Sequence, residues 1–324
     1  MRSIKTTVSG CLFISLLLIL SIRTPYAQED YPIKPVTLMV SWPAGGLSDI
    51  IARIIADKGR KYFAQPLIIV NRPGASGIVG MQELVSSKPD GYTTAFSTNA
   101  ECASNLHILH ATYNIDSYTI ICRIGGQSGC IATKGPWNNL KEFVDYTRKN
   151  PDKIRAGVAG LATIMRLNAE QFATNAGIKF KVVPFKGSQP NLTALLGGHI
   201  EISFMNVPEI ISHYKAGEIK ILCVLSGKRS EALPEVLTAK EQGFDWPMLE
   251  ATQYIVVPNG VPKQIREKLD GGMKKIVEDP EFQKRTTELG YNPSYAGSET
   301  SKALIKAWYK TSGELYNMLG MKKE

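Results

Sequence analysis

A glycine-rich turn near the start of the chain carries residue types that could bind an anion. It occupies residues 42–49, with the sequence WPAGGLSD, and follows the apolar stretch 36–40. Its paired glycines permit a sharp bend and leave backbone N–H groups uncovered. Ser48 or Asp49 is then expected to cap a helix, whose N-terminus attracts anions. The same glycines also suit an ordinary strand-to-helix turn, so both interpretations stay open.

Motifs of the common enzyme classes are missing from the sequence. It contains no G-x-S-x-G, H-E-x-x-H, Walker or G-x-G-x-x-G pattern. His107 and His110 have the spacing of a helical metal pair, but no carboxylate stands nearby at ligand spacing, which favours ordinary polar roles. The sequence therefore predicts no catalytic residue, no metal site and no cofactor. A catalytic centre assembled only in space is not excluded.

The first 27 residues have the pattern of a secretory signal peptide. Arg2 and Lys5 precede an apolar stretch over residues 11–22, and Ala27 supplies a small residue before a cleavage point. This stretch is shorter than the roughly 20 residues of a membrane-spanning helix. We therefore expect an exported protein that is cleaved near Ala27.

The charge of the chain is mildly positive. Three of its 38 basic residues and none of its 29 acidic residues lie in the predicted signal peptide, which leaves the mature chain a net charge of about +6. The basic residues are spread along the sequence without interleaved aromatics, so solvated faces are favoured over a nucleic-acid surface. The sequence predicts no nucleic-acid partner, and the positive charge suits anionic ligands.

Four cysteines lie beyond the predicted signal peptide, at positions 102, 122, 130 and 223. Export would expose them to an oxidising compartment, where a disulfide can form. Cys122 and Cys130 are the pair closest in sequence. The sequence leaves open whether they are bridged.

Strand-like and helix-like stretches alternate through most of the chain, which predicts an α/β fold with parallel sheets covered on both faces. The predicted strands are 36–40, 67–70, 93–97, 154–158, 179–184, 200–205 and 219–225, with short apolar runs at 120–124 and 130–133. The predicted helices are 78–87, 140–150, 163–176, one from Pro190 to 197–198, 208–216, 262–278, 280–289 and 298–319. The last 60 or so residues are thus mostly helical on this pattern.

The two halves of the mature chain loosely mirror each other. Each contains a strand that runs into a glycine-bearing turn and then a helix, at residues 44–49 and 157–163. Two such turns that face each other across a cleft would hold both sides of one small ligand.

Short motifs occur in a fixed order along the mature chain. They are YPxKP at 31–35, PxGGxxD at 43–49, NRPGAxG at 71–77, PDGY at 89–92, KGS at 186–188, LLGGHI at 195–200, KAGE at 215–218, KRSxxLP at 228–234, PxGxP at 258–262 and DPEF at 279–282. Together they resemble the Bug family, the periplasmic solute-binding proteins of tripartite tricarboxylate transporters. The likeness covers essentially the whole mature chain.

This resemblance implies a two-domain α/β periplasmic-binding-protein fold of type II, the Venus flytrap, with a ligand cleft between the domains. The implied organisation is a signal peptide at 1–27, a first domain at 28–125, a second at 126–249, and a return to the first with C-terminal helices at 250–324. It also implies a periplasmic monomer that performs no chemistry. Its ligand would be a small di- or tricarboxylic or aromatic acid, and its partners would be integral-membrane permease subunits.

The resemblance also implies a set of ligand-binding residues. They are Ala44, Gly45, Gly46, Ser48 and Asp49 in the first loop, Ser97, Thr98 and Asn99 at the adjacent strand end, Gly160, Leu161 and Thr163 in the second domain, and Lys186 and Gly187 in the next turn. Lys186 could balance a carboxylate or be a solvated turn residue.

Three positions depart from the family pattern. Met205 could line the cleft and favour an apolar ligand body, or it could belong to the core. Trp42 stands where phenylalanine is frequent and points weakly the same way, although an aromatic side chain here more often serves packing than recognition. Arg166 could meet a second carboxylate or cover a helix surface.

Two rival functions stay open on the sequence. The same cleft could serve a membrane sensor kinase rather than a permease. A secreted hydrolase is the other rival, although the motif search gives it little support.

Overall fold

The computed structural model describes residues 31–246 and 248–321, which form two mixed β-sheets covered by helices. The predicted signal peptide at residues 1–27 lies outside the described residues. Within the described part, no helix is both long enough and apolar enough to cross a membrane.

In the described part of the chain, eleven strands build the two sheets. The first sheet contains β1 (Val36–Val40), β2 (Leu67–Asn71), β3 (Thr93–Thr98), β4 (Tyr118–Gln127), β10 (Ala251–Pro258) and β11 (Tyr291–Gly297). The second contains β5 (Gly129–Thr133), β6 (Arg155–Val158), β7 (Lys181–Pro184), β8 (Ile202–Asn206) and β9 (Lys220–Leu225).

The helices follow the strands in alternation, as predicted. They are α1 (Leu47–Asp57), α2 (Gly59–Phe63), α3 (Ile78–Val85), α4 (Asn99–Cys102), α5 (Leu140–Lys149), α6 (Ile164–Ala176), α7 (Ser188–Leu196), α8 (Val207–Lys215), α9 (Lys263–Val277), α10 (Pro280–Glu288) and α11 (Ser298–Met318). Short 3₁₀ turns stand at Ala75–Gly77, Ser104–His107 and Lys240–Gln242.

The chain passes between the two sheets twice. The strand order is β11-β4-β10-β3-β1-β2 in the first sheet and β7-β6-β8-β5-β9 in the second. The first passage lies between the end of β4 and the start of β5, and the second leads back into β10. The domain boundaries expected at 125/126 and 249/250 stay a prediction.

The prediction of purely parallel sheets is wrong for the strands near these passages. In the first sheet β2, β1 and β3 are parallel, but β10 runs antiparallel to β3 and β4. In the second sheet β5 is antiparallel to both β8 and β9. A strand that follows the passage without a crossover helix enters its sheet in the opposite direction, which periodicity does not reveal.

The expectation of a mostly helical C-terminal segment missed β11. This strand contains Pro293, which cannot donate a backbone hydrogen bond, so it does not read as a strand. It pairs with β4 at the edge of the first sheet, with an irregular register between Pro293 and Ala296. An edge position tolerates proline because one side of the strand needs no partner.

Alternating residues of the strands bury opposite faces of each sheet. In β1, Leu38 packs with Ile51 and Ile55 of α1 on one face. Met39 packs with Met81 of α3 and Ile305 of α11 on the other. This alternation follows from the two-residue repeat of a strand and covers the first sheet on both faces.

All four cysteines of the described residues are free and buried. Cys122 belongs to β4 of the first sheet, and Cys130 belongs to β5 of the second. The two residues that are closest in sequence therefore lie in different sheets.

Candidate functional site

A cavity of about 640 Å³ lies between the two sheets and receives residues from both. Its lining consists of Trp42, Pro43, Gly46, Leu47, Ser48, Thr98, Ala100, Gln127, Ala159, Thr163, Ile164, Met165, Ser188, Gln189, Asn206, Glu209, Ala251 and Gln253. Among these described residues there is no Lys, Arg or His. The described lining therefore offers an anion no cationic side chain.

Helix N-termini from both sheets meet at this cavity. The start of α1 lines it with Leu47 and Ser48, and Thr163, Ser188 and Asn206 stand at the starts of α6, α7 and α8. The first backbone N–H groups of a helix lack partners within the helix and carry partial positive charge. The arrangement can bind a small anion through backbone N–H groups from two sides.

Hydrogen bonds to the buried carboxylate of Asp49 hold the glycine turn at residues 42–49 in shape. The carboxylate of Asp49 accepts hydrogen bonds from Gly45 N at 2.9 Å, Arg53 Nε at 2.9 Å and Asn71 Nδ2 at 3.1 Å. Burial alone would raise the pKa of Asp49, but these three donors outweigh it and lower the pKa. The ionised side chain thus holds the turn in shape, with Gly45 at φ +79°.

The expected capping role of Ser48 or Asp49 is wrong. Helix α1 begins at Leu47, and Gly46 occupies the N-cap position without a side-chain cap. Asp49 lies in the first turn instead, where its negative charge suits the helix N-terminus. The backbone N–H groups at the start of the helix are therefore not capped by its own side chains.

A fully buried carboxylate, Glu101, supports the neighbouring strand end. It accepts hydrogen bonds from Thr98 N at 2.7 Å, from the Thr98 hydroxyl and from Trp42 Nε1 at 3.2 Å. Burial raises the pKa of Glu101 to about 7, against the effect of these hydrogen bonds. Thr98 and Trp42 on the cavity wall are thus held from behind by one carboxylate.

The wall from the second sheet is organised by a different carboxylate, Glu209. Its oxygens accept hydrogen bonds from Ser188 Oγ at 2.5 Å, Asn206 N at 2.9 Å and Asn206 Nδ2 at 3.2 Å. Burial raises the pKa of Glu209, although these donors oppose the shift. Unlike Asp49 and Glu101, Glu209 itself lines the cavity.

Hydrogen bonds join the opposite walls directly. Gln189 Nε2 donates to Gly45 O at 2.8 Å, and Ala162 N donates to Ser76 Oγ at 3.5 Å. A Cβ atom at position 160 would lie 2.8 Å from Ser76 Oγ, so only glycine fits here without a shift. The walls are in contact in this structure, as in a closed cleft.

A second cavity of about 1200 Å³ adjoins the first and shares Trp42, Pro43 and Ala159 with it. Gly160, Leu161, Lys186 and Gly187 line this outer space. Lys186 is exposed to solvent. We call the first space the inner cavity and the second the outer cavity.

Comparison with known proteins decides the family. The profile of the family described as "Tripartite tricarboxylate transporter family receptor" matches residues 51–321. The chain belongs to this receptor family. A relative in Cupriavidus necator, the UPF0065 protein in the gbd 5' region, is 30% identical over 306 residues, which cover 92% of this chain and 91% of that protein. Protein BugT of Bordetella pertussis is 25% identical over 289 residues, or 88% of this chain and 89% of BugT.

Solved structures agree with this assignment. The structure of periplasmic binding protein BugD has a TM-score of 0.86 and 26% identity, covering 91% of this chain and 100% of that one. An R. palustris protein solved with adipate has a TM-score of 0.88 and 26% identity over the same shares. The predicted Bug-family membership and the two-domain α/β fold of periplasmic binding proteins are confirmed.

The receptor-family residues expected in the site fall into three groups. Gly46, Ser48, Thr98 and Thr163 line the inner cavity. Gly160, Leu161, Lys186 and Gly187 line the outer cavity. The third group lines neither cavity. Asp49, Ser97 and Asn99 are buried behind the wall, where Ser97 Oγ contacts Met81 Sδ and Asn99 bonds the backbone of Glu250 and Thr252. Ala44 and Gly45 are exposed at the turn, where Gly45 O accepts from Gln189.

The structure places Met205 in the core and not on the cavity wall. It is 1% exposed and packs in a cluster with Cys130, Leu195 and Ile210. Successive side chains of a strand point to opposite faces, so its neighbour Asn206 reaches the cavity and Met205 does not. Met165 of α6 supplies the methionine on the wall. Arg166 lies on the helix surface, where Arg166 Nη1 donates to Leu161 O at 2.8 Å.

Sequence reasoning missed the residues that lie deepest in the site. Gln127 of β4 and Gln253 of β10 line the inner cavity and are 2% and 1% exposed. Ser188, Gln189, Asn206 and Glu209 were missed as well. A glutamine within an otherwise apolar strand is the one local signal that could have drawn attention to Gln253.

Proposed function

We propose that this receptor-family protein captures a small carboxylate between its two sheets and delivers it to membrane permease subunits for uptake. The observation that carries the proposal is the meeting of helix N-termini from both walls at the inner cavity, where no described lining residue is a cation. Backbone N–H groups can then supply the binding of one carboxylate. The R. palustris relative that was solved with adipate supports a carboxylic acid as the class of ligand.

The site residues of this proposal are those that surround the inner cavity. Gly46, Ser48 and Thr98 would contact the ligand from the first sheet, and Thr163 from the second. Gly45, Asp49, Ser97 and Asn99 would keep the first wall in shape, and Lys186 with Gly187 would lie at the outer cavity. The domain boundaries predicted from the sequence, at 125/126 and 249/250, belong to the same proposal.

Capture would work by a shift between open and closed states. The closed state gains ligand contacts from both walls, whereas an open state has contacts from one, so the ligand favours closure. Gln189 on one wall and Gly45 on the other already make a hydrogen bond across the cleft. This contact would stabilise the closed state in addition to the ligand.

The remaining parts of the proposal concern the surroundings of the protein. The signal peptide would direct it to the periplasm and be cleaved near Ala27. The mature protein would act as a monomer, perform no chemical reaction and need no cofactor. Its partners would be the permease subunits of a tripartite tricarboxylate transporter.

Thermal unfolding of the purified protein, stripped of ligand by unfolding and refolding, tests this function. The panel contains mono-, di- and tricarboxylates, aromatic acids and amino acids. A ligand at a hundredfold excess over its Kd adds about 2.7 kcal/mol to the free energy of unfolding. We expect a selective rise for one class of acid. A flat response from a folded sample would contradict carboxylate binding and favour another ligand or an enzymatic role.

A pull-down with membranes separates uptake from sensing. We expect the ligand-loaded protein to retain the permease subunits rather than a sensor kinase. Capture of a kinase alone would assign the same site to sensing.

A further inference from the structure

Glu209 is the acidic side chain among the described residues that line the inner cavity, and no cation stands beside it there. Its three hydrogen bonds come from a hydroxyl, a backbone N–H and an amide N–H. Each carboxylate oxygen accepts from an N–H group, which favours the ionised form, while burial opposes it by raising the pKa of Glu209. A second negative charge in the inner cavity would meet Glu209 without a neutralising partner.

The same carboxylate sets the orientation of two amides in a row. Because Glu209 accepts from Asn206 Nδ2, the other end of that amide, Asn206 Oδ1, is turned away from it. Gln127 Nε2 then donates to Asn206 Oδ1 at 3.5 Å. The last polar atom in this series of hydrogen bonds, Gln127 Oε1, is buried and has no hydrogen-bond partner among the described residues. It is an acceptor that lacks a donor.

A second orphan acceptor lies on the same face of the first sheet. Gln253 Oε1 is also buried without a partner. Gln127 pairs with Ala251 of β10, two residues before Gln253, and all three line the cavity. A buried acceptor without a donor is unfavourable, so Gln127 requires a ligand that supplies an O–H or N–H group. No hydrogen bond among the described residues orients the Gln253 amide, which can turn to present either its oxygen or its NH2 group to the same ligand.

We propose that the inner cavity selects a monocarboxylate with an apolar body and a hydrogen-bond donor, such as a hydroxyl or an N–H group, at its other end. The inference rests on the proposed function. The carboxylate would occupy the starts of α1 and α6, at Ser48 and Thr163, which Glu209 does not cap. The body would lie against Trp42, Leu47 and Ile164, and the donor would satisfy Gln127, whose amide is bonded to Asn206. A second carboxylate at that end would offer Gln127 only acceptors and would be repelled by Glu209.

Two matched series of acids test this selectivity by calorimetry on the purified, ligand-stripped protein. One series is hexanoate, omega-hydroxyhexanoate and adipate, and the other is benzoate, para-hydroxybenzoate and terephthalate. In the series that fits, we expect the hydroxy acid to bind about tenfold more tightly than the dicarboxylate, because unpaired and like-charged groups are costly in a closed site.

The Glu209→Gln variant tests which residue causes the selectivity. A glutamine at this position keeps the reciprocal capping of α8 and removes the charge. The glutamine also supplies an N–H donor, to which the Asn206 amide can present its oxygen, and the Gln127 amide can then turn as well. The affinity for the dicarboxylate should therefore rise about fivefold or more relative to that for the hydroxy acid. Glu142→Gln is the matched control, since exposed Glu142 caps α5 through Asn139 in the same way. We expect the control variant to leave the ratio of the affinities for the hydroxy acid and the dicarboxylate unchanged.

The possible outcomes separate the two proposals. If a dicarboxylate binds as tightly as the hydroxy acid or more tightly, the selectivity is refuted while carboxylate binding stands. If the ratio of the two affinities is the same in Glu209→Gln as in the unchanged protein, the role of Glu209 is refuted. If neither these series nor the wider panel of acids binds to folded protein, the proposed function fails and the selectivity with it.

Discussion

The two walls of the inner cavity use carboxylates in opposite ways. On the first wall, Asp49 and Glu101 are buried and accept hydrogen bonds from the protein itself. Gly45 N donates to Asp49, and Thr98 N donates to Glu101. On the second wall, Glu209 caps a helix and also faces the cavity. One wall is thus shaped by hidden charges before a ligand arrives, whereas the other exposes its charge to the ligand.

The two walls contribute differently to the choice of ligand. Helix N-termini on an uncharged surface accept any carboxylate of suitable size, because backbone N–H groups contact the carboxylate and not the rest of the ligand. A fixed negative charge on the opposite wall discriminates by repulsion. We therefore expect changes to the first wall to alter binding or stability as a whole, and changes to the second wall to alter the preference among acids.

The largest expected effect comes from Gly46→Asp on the first wall. The φ of Gly46 is −78°, which any residue adopts, and a Cβ atom would lie 3.4 Å from Pro43 O, so the backbone accepts a side chain. The new carboxylate would occupy the anion-binding end of the cavity and repel the ligand. We expect a loss of affinity of about a hundredfold or more by calorimetry, because like charges in a closed site cost several kcal/mol.

Gly46→Ala is the control for this change, since it adds a methyl group without charge. We expect it to lose much less affinity and to retain the same circular dichroism spectrum. Unchanged affinity in Gly46→Asp would show that this turn does not hold the ligand.

A smaller effect is expected from Glu101→Gln, on stability as a function of pH. The folded pKa of Glu101 is raised to about 7 from the ordinary 4.5, so the folded state binds a proton that the unfolded state releases between these values. This contribution to stability is present at low pH and is lost as the pH rises through about 7. From pH 5 to 8 the free energy of unfolding should lose about 2 kcal/mol from this group.

The glutamine variant should lack this part of the pH dependence in urea unfolding. The pKa of Glu209 is raised in the same direction, but it is present in both proteins and cancels in the difference. Parallel pH curves for the two proteins would contradict the hidden-charge account of the first wall.

The smallest expected effect comes from Gln189→Ala, which removes the hydrogen bond across the cleft to Gly45 O. Gln189 is exposed, so the net value of this hydrogen bond is about 0.5–1.5 kcal/mol. We expect affinity to fall by about twofold to tenfold, mainly through faster dissociation, in stopped-flow experiments.

Gln264→Ala is the matched control for this variant. Gln264 is also an exposed glutamine at the second position of a helix, α9, and it lies outside both cavities. A change in dissociation rate of similar size in both variants would show that the contact across the cleft does not stabilise the closed state.

Local sequence patterns predicted the elements that carry the site with good accuracy. Strand 67–70 is observed at Leu67–Asn71, and helix 163–176 at Ile164–Ala176 with Thr163 as its cap. Such elements depend on neighbours within a few residues, which a sequence displays directly. Strand β11 was missed because its proline is tolerated only at a sheet edge, and an edge is a property of the assembled sheet.

The deepest residues of the site could not be predicted for a related reason. Gln127 and Gln253 are 126 residues apart in sequence and meet because β4 and β10 pair in antiparallel register. Met205 was a candidate for the cleft with the core as the alternative, and the pleat of β8 turns it into the core and brings Asn206 to the wall. A shift of one residue in a strand exchanges its two faces, and periodicity alone does not set which face meets a cleft.

The family, the α/β alternation and the glycine turn at residues 42–49 can be predicted from the amino-acid sequence, because they depend on residue types and short spacings. The folded chain is needed to tell which carboxylates are hidden, which one faces the ligand and which acceptors are left without donors. Burial and hydrogen bonding join residues that are far apart along the chain. Selectivity follows from such groupings, and they exist only after the two sheets have come together.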